Sequence, residues 1–541
     1  MKKTHLIPCA ALALAMCALP LSAAAAPSYQ EAEEQQLDKS IEEALVLYDA
    51  EVEAIAENNM GGSEEFTLTL DPIAKLMFGQ MLPVDISWLD SASLKADVSL
   101  GEDDILEYLQ LLLNDTSVLN ANIDMNMTDE ALYMQLPDLS EKFIRMLFSE
   151  METAQEDAEE EFGDDWEEGF SYSASTQLSG EQIAALLTFV RALPENLPAT
   201  ADVGALLERY GKLIISHLPD AESTPDNLDV EGISQECVKY DVDLSSKDFF
   251  DIVIDFMQTL KSDEDLKTMI VDICGGDTTA YDQLISSVDG FLEENADMDP
   301  ESLPDDALLT MNVWYDENAQ SVAGRQITMH DEYNGDTTLV CAYPSNDEGT
   351  ALYLAMNQAD TNLVFYGTGT VDGDLLAGTY HLYMGTFPLA DVTVTDWNVS
   401  TAVRGQFNGA IKITPSVMPI PEDAPEELTG MMSFIQDFSV DIELMNDPAY
   451  ADWTIALNYL DTPCASLNAK VDTTEAPELE PVPEDAEIIS ASDEEAMAEY
   501  QSEIDLSAIT EKLLAAGMPE EAVAEMFGAE DAGEAQTELA G

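Results

Sequence analysis

The chain has 541 residues, 46% of them hydrophobic, and sets 109 acidic residues against 19 basic ones, for a formal net charge of −90. Such a surface repels phosphate backbones and anionic membranes, which excludes nucleic-acid binding, while the length allows two or more domains with ordinary apolar cores.

Lys2 and Lys3 precede an apolar run from Leu6 to Leu21, and small residues follow to Ala26. This is the layout of a secretory signal peptide, with cleavage expected near residues 24–27. A lipid anchor on Cys17 is the alternative, but Met16 stands where a lipobox takes a small residue. No later stretch reaches the roughly 18 consecutive apolar residues of a spanning helix, so a secreted or cell-envelope protein is expected. Export removes Cys9 and Cys17 and leaves Cys237, Cys274, Cys341 and Cys464. In an oxidising compartment these permit disulfides; Cys237–Cys274 and Cys341–Cys464 are favoured because each pair lies within one segment, and a fully reduced set is the alternative.

The segment 27–62 opens the mature chain with a helix over Tyr29 to Asn59, ending at Gly61-Gly62. In the helix-rich region 63–304, Phe66, Leu68 and Leu70 alternate as a strand, and Asp71-Pro72 starts a helix. A strand over Ala92–Leu100 and a helix near Ile105 to Leu113 follow. The clearest period-2 pattern comes next, in the hairpin 117–136. Leu119, Ala121, Ile123, Met125 and Met127 alternate with Asn120, Asn122, Asp124 and Asn126, and Leu132, Met134 and Leu136 resume the alternation after a polar turn. One face is then apolar and the other solvated. Ser140 is placed to cap a helix carrying Phe143, Ile144, Leu147 and Phe148. Glu150 to Glu168 reads as an exposed acidic insertion, Glu181 to Val190 and Val203 to Ile214 as helices, and Asp220 to Gln235 as a polar linker. A strand at Cys237 to Leu244 leads through Ser245 into a helix to Leu260, and further helices cover Leu266–Ile273 and Tyr281–Leu292.

Residues 305–472 change character, becoming alternating segments separated by turn formers such as Asn334-Gly335 and Asp372-Gly373. Short turns at regular spacing imply an antiparallel meander continuous with the earlier strands. The last region, 473–541, reads as an acidic linker, helices from Ile504 to Leu514 and Pro519 to Phe527, and a disordered tail. The fold class is therefore α+β, a large curved antiparallel sheet packed against helices, with helical extensions at both ends.

The strand with outward Asn and Asp, the second strand closing on Leu136-Pro137-Asp138-Leu139-Ser140 and the long meander together resemble the lipoprotein-carrier half-barrels of the cell envelope (LolA- and LppX-like). Cys237 to Leu260 and Val313 to Ile327, with Gly324-Arg325, resemble uncharacterised exported proteins of anaerobic Gram-positive bacteria. The resemblance implies a curved sheet around an apolar cavity that shields acyl chains.

Motifs for chemistry are scarce. The sequence holds no G-x-S-x-G elbow, H-E-x-x-H, phosphate-binding glycine loop or C-x-x-C, and His217, His330 and His381 are far apart. No catalytic residue, metal or cofactor is expected. The expected function is a non-enzymatic scaffold or binding role, with an apolar or lipid ligand, or an envelope protein, as partner. A ligand would sit on Ile123, Met125, Met127, Met134 and Leu136, where methionine suits a cavity of variable occupancy. An extracellular structural or adhesive protein is one alternative, and a secreted hydrolase using paired carboxylates is another.

Overall fold

The computed structural model describes residues 27–57, 61–81, 85–101, 104–149, 196–304, 306–318, 320–331, 335–358, 361–416, 434–447 and 449–527. The leader, the acidic insertion, the helix over Glu181 to Val190 and the tail beyond Phe527 lie outside the described residues. Two compact units divide the chain, 1–52 with 195–443 (unit 1) and 53–194 with 444–541 (unit 2). Each interleaves early and late sequence, because strand pairing rather than chain order defines it.

Helix α1 (Tyr29–Glu57) opens the chain. Strand β1 (Gly62–Leu70) is followed by α2 (Pro72–Met81), whose first turn is capped by Asp71 Oδ1 accepting from the backbone N–H groups of Ile73 and Ala74 at 2.7 and 2.9 Å. Then come β2 (Ser91–Leu100), β3 (Asp104–Leu113), β4 (Thr116–Asn126), β5 (Ala131–Gln135) and β6 (Phe143–Leu147). Asn114 and Asp115, both at positive φ, make the β3–β4 hairpin turn, whose backbone twist matches that of the flanking strands.

Helix α3 (Thr200–Ser216) precedes β7 (Ser223–Val230) and β8 (Ile233–Ser245). Ser245 and Asp248 form a reciprocal capping box that starts α4 (Ser246–Ser262) where β8 stops. Helices α5 (Glu264–Ile273) and α6 (Thr279–Asn295) follow. The meander comprises β9 (Ala307–Asp316), β10 (Ser321–Met329), β11 (Thr337–Ala342), the short β12 (Ser345–Asn346), β13 (Gly349–Gln358), β14 (Thr361–Asp372), β15 (Leu375–Met384), β16 (Phe387–Asn398), the one-turn α7 (Val399–Ala402), β17 (Gly409–Pro415), β18 (Phe438–Asp447), β19 (Tyr450–Tyr459) and β20 (Thr462–Asp472). The chain closes with β21 (Ile488–Ser490), α8 (Glu494–Glu503), α9 (Ser507–Ala515) and α10 (Glu520–Phe527).

The fold class is α+β with antiparallel sheets, as the alternation predicts. In unit 1 the pairing order is β7-β8-β9-β10-β11-β13-β14-β15-β16-β17. The core lies where α1, α3 and α4 cover β8 to β10: Tyr29, Ala32, Ile215 and Ile252 pack on Tyr240, Val242, Met311, Val313 and Ile327. On the other face the β7–β8 hairpin brings Leu228, Val230 and Ile233 onto Ala323, Ala342 and Ala351. In unit 2 the order is β19-β20-β1-β2-β3-β4-β5-β6, so the early hairpin and the last strands of the meander share one sheet. The small β21 adds to β6 in parallel.

Four expectations are corrected. Ile105 to Leu113 is β3 rather than a helix; a leucine-rich run fits either period, and pairing with β2 and β4 on both sides decides it. The helix expected at Phe143 is β6, held between β5 and β21. The polar linker Asp220 to Gln235 contains β7 and the start of β8, joined by Glu231 and Gly232 at positive φ. The acidic linker after Asp472 contains β21 and leads into α8.

One close approach in unit 1 requires glycine. Gly367 pairs with Tyr380, whose ring stacks on Phe365 at 5.6 Å, and a Cβ at Gly367 would stand inside van der Waals contact of the Thr379 carbonyl and the Tyr380 backbone. Gly367→Val is expected to destabilise unit 1 by about 1–3 kcal/mol through overpacking, read as a lower denaturation midpoint.

Candidate functional site

The hairpin residues belong to a face that register extends across unit 2. Ile123 pairs with Glu107 and Met134, and Met125 with Ile105 and Leu132. Met134 and Leu132 pair in turn with Ile144 and Met146. In the other direction Leu119 pairs with Leu111, Leu111 with Leu94, Leu94 with Phe66 and Phe66 with Ala469, which pairs with Trp453. Directly opposed residues in a sheet point to the same side. Trp453, Ile455, Leu467, Phe66, Leu68, Leu94, Leu109, Leu111, Ile123, Met125, Leu132, Met134, Ile144 and Met146 therefore share one face. At about 4.8 Å per strand it spans about 34 Å.

This face is half open. Phe66, Leu94, Trp453 and Ile455 are 39%, 45%, 42% and 42% exposed, and Ile123, Met125 and Met134 are half-buried. At one end α9 and α10 close over it: Leu513, Ala516 and Val523 pack with Val118, Leu111 and Leu113. Two carboxylates, Glu64 and Glu107, interrupt the apolar surface, and burial together with the neighbouring Glu64 charge raises the Glu107 carboxyl above its ordinary range.

Of the five expected ligand residues, the structure brings Ile123, Met125 and Met134 together on paired strands. Met127 lies in the turn after β4, and Leu136 lies just beyond β5, where its carbonyl accepts from the N–H groups of Leu139 and Ser140. Both are half-buried. Sequence alternation along one strand could not reveal the contributions of β1, β2, β19 and β20, which pairing alone supplies.

The expected solvated face of β4 is half-buried, and it is covered at Asp124. Asn120 donates from its backbone N–H and its side chain to Asp138 Oδ2, at 2.7 and 2.8 Å, and Asn122 donates to Gln135 at 2.8 Å. Val482 and Ala486 pack with Ala131, Tyr133 and Phe143. Beneath them Asp124 is only 4% exposed; its Oδ2 accepts from Val482 N–H at 3.2 Å, while Oδ1 has no hydrogen-bond partner among the described residues. Burial raises the Asp124 carboxyl above the ordinary aspartate range, the Val482 bond opposes the shift, and Asp104 and Asp129 add to it.

No disulfide joins the four cysteines. Cys237 is buried on β8 and Cys274 caps the end of α5. Cys341 lies on β11, where it pairs with Leu354, and Cys464 is buried on β20. Burial, then the charge of Asp316, pushes the Cys237 thiol up to about 12. Burial, then Asp71, raises the Cys464 thiol.

No protein-family model and no curated protein matches the chain. Among the described residues no helix is long and apolar enough to cross a membrane. His217, His330 and His381 each face their own aspartate, Asp255, Asp336 and Asp391, at 3.1, 3.1 and 2.6 Å.

Two measurements test this description. An aspartate whose folded pKa is raised destabilises the fold when ionised, and that destabilisation disappears as pH falls below the unfolded value of about 3.9. Asp124→Asn is therefore expected to melt above the wild type at pH 7, with the gap closing towards about pH 4; a gap that widens on acidification contradicts the assignment. Alkylation without reductant is expected to label all four cysteines after denaturation, while Cys237 and Cys464 stay unlabelled in the folded protein at about pH 8.

Proposed function

We propose that this chain is a non-enzymatic exported protein of the cell envelope or exterior that carries an apolar ligand, the acyl part of a lipid, on the unit 2 face bearing Ile123, Met125 and Met134. The observation that supports this is the continuity of that face from Trp453 to Met146 with its side chains half-exposed. A soluble protein rarely exposes so long an apolar surface without a use for it. The strands from β20 to β5 are paired on both sides, so their ladders offer an extended peptide no free backbone to bind. Aliphatic side chains are what remains. Covering one half-exposed leucine or isoleucine recovers roughly 1 kcal/mol, and several together suffice to hold a chain. Met125, Met134 and Met146 supply flexible thioethers that adapt to chains of different shape. The resemblance to lipoprotein carriers favours the same class of ligand.

Met125→Asp tests the reading. Met125 is half-buried, so a carboxylate there stays hydrated and the fold survives. The expected outcome is a melting temperature within a few degrees of the wild type, with at least a tenfold drop in lipid recovered from purified protein by denaturing mass spectrometry. Loss of folding would mean that the face is closed core, and undiminished lipid would place the ligand elsewhere; either result overturns the proposal.

A further inference from the structure

Unit 1 also carries an apolar face, and a single cation stands in it. Arg325 of β10 pairs with Val313 on one side and Cys341 on the other; the row continues through Leu354, Phe365 and Leu382. Its neighbour row runs Met311, Ile327, Leu339, Met356, Leu363 and Met384. Among the described residues Arg325 is the one Lys or Arg on this face of β8 to β15. Helix α1 covers the β8–β10 end, whereas Leu354, Met356, Leu363 and Met384 are 38%, 40%, 38% and 48% exposed.

Arg325 is 1% exposed, and its two terminal nitrogens donate to the two carboxylate oxygens of Glu33 on α1, both at 2.7 Å. A buried ion pair of this kind contributes little net stability compared with an apolar pair of the same shape. What it does supply is a planar, two-pronged recognition geometry for a carboxylate. The helix that presents Glu33 buries a mixed side, with Glu33, Gln36 and Ser40 beside Tyr29 and Ala32. Tyr29 and Ala32 hold the start of the helix on the core, so the carboxylate of Glu33 is the group that an incoming acid must replace.

We propose that Arg325 is the headgroup site for a fatty acid whose chain lies along Cys341, Leu354, Phe365 and Leu382, and that Glu33 of α1 holds this site as an internal competitor. From Arg325 to Leu382 the row crosses about 19 Å of sheet, the span of a long acyl chain. The acid must displace Glu33 and meets a highly acidic protein, so binding strengthens when salt screens that repulsion. The site is built from unit 1 residues and stands apart from the unit 2 reading, because the measured quantity is the preference for acid over alcohol rather than binding itself.

The test titrates the mature chain with dodecanoate and with dodecanol, below micelle formation and in about 0.5 M salt. Wild type is expected to bind the acid at least tenfold more tightly than the alcohol, and Glu33→Gln to tighten the acid at least a further tenfold. The paired variant Glu33→Leu with Arg325→Leu replaces the ion pair by apolar groups; it is expected to fold and to bind acid and alcohol equally. Should Glu33→Gln fail to fold, the paired variant decides alone. A wild type without acid preference, a folded Glu33→Gln with unchanged acid affinity, or a paired variant that keeps the preference would each overturn the proposal.

Discussion

Register is the constraint on which the rest of this structure depends. In an antiparallel ladder opposed residues share a side, so a one-residue slip of any strand would send its whole apolar set to the opposite face. From Trp453 to Met146 in unit 2, and from Tyr240 to Leu382 in unit 1, the pairing sets apolar residues opposite apolar residues except at Glu64 and Glu107 in the first and Arg325 in the second. Bulges occur, as between Leu111 and Leu112, but the alternation resumes beyond them. The faces are properties of the pairing, and single strands carry only fragments of them.

That distinction explains what could be read from the chain. The hairpin 117–136, the helix start at Ser245 and the meander strands follow from local signals: period-2 alternation, a capping pair and turn residues. The leucine-rich stretch of β3 could not be assigned in isolation, because a short apolar run satisfies a buried helix and a buried strand alike. β7, with Pro225 and two aspartates, has a polar composition and becomes a strand only because Leu228 and Val230 find Ala323 and Ala342. Ile123, Met125 and Met134 were legible as a shared face, whereas Phe66, Leu94 and Trp453 join them through contacts that no local window contains.

Alternation also says nothing about which face is covered. Asn120, Asn122 and Asp124 have the composition of a solvated surface, yet the segment that covers Asp124 arrives 358 positions later. It brings a backbone N–H to meet the carboxylate, and Val482 and Ala486 to meet Tyr133 and Phe143. In unit 1 the cover comes from the opposite end of the chain, where α1 lays Glu33 against Arg325. Both covers are polar at their centre, in contrast to α4, which turns Ile252 into the core. A polar cover is specific in position and modest in strength, because its ion pairs and hydrogen bonds give up hydration on forming.

The pairing of β1 with β20 sets a timetable for folding. Phe66 has its partners Leu94 and Ala469 on either side, one reached across α2 and the other hundreds of positions later. Contacts of such large sequence separation pay their loop-closure entropy before they return any stabilisation, which makes them late and slow events. As the chain is synthesised, the outer edge of β1 waits unpaired until most of the protein has emerged. For that interval the early half of unit 2 presents a strand edge of the kind that recruits other chains, and its survival depends on how quickly Thr462–Asp472 arrives.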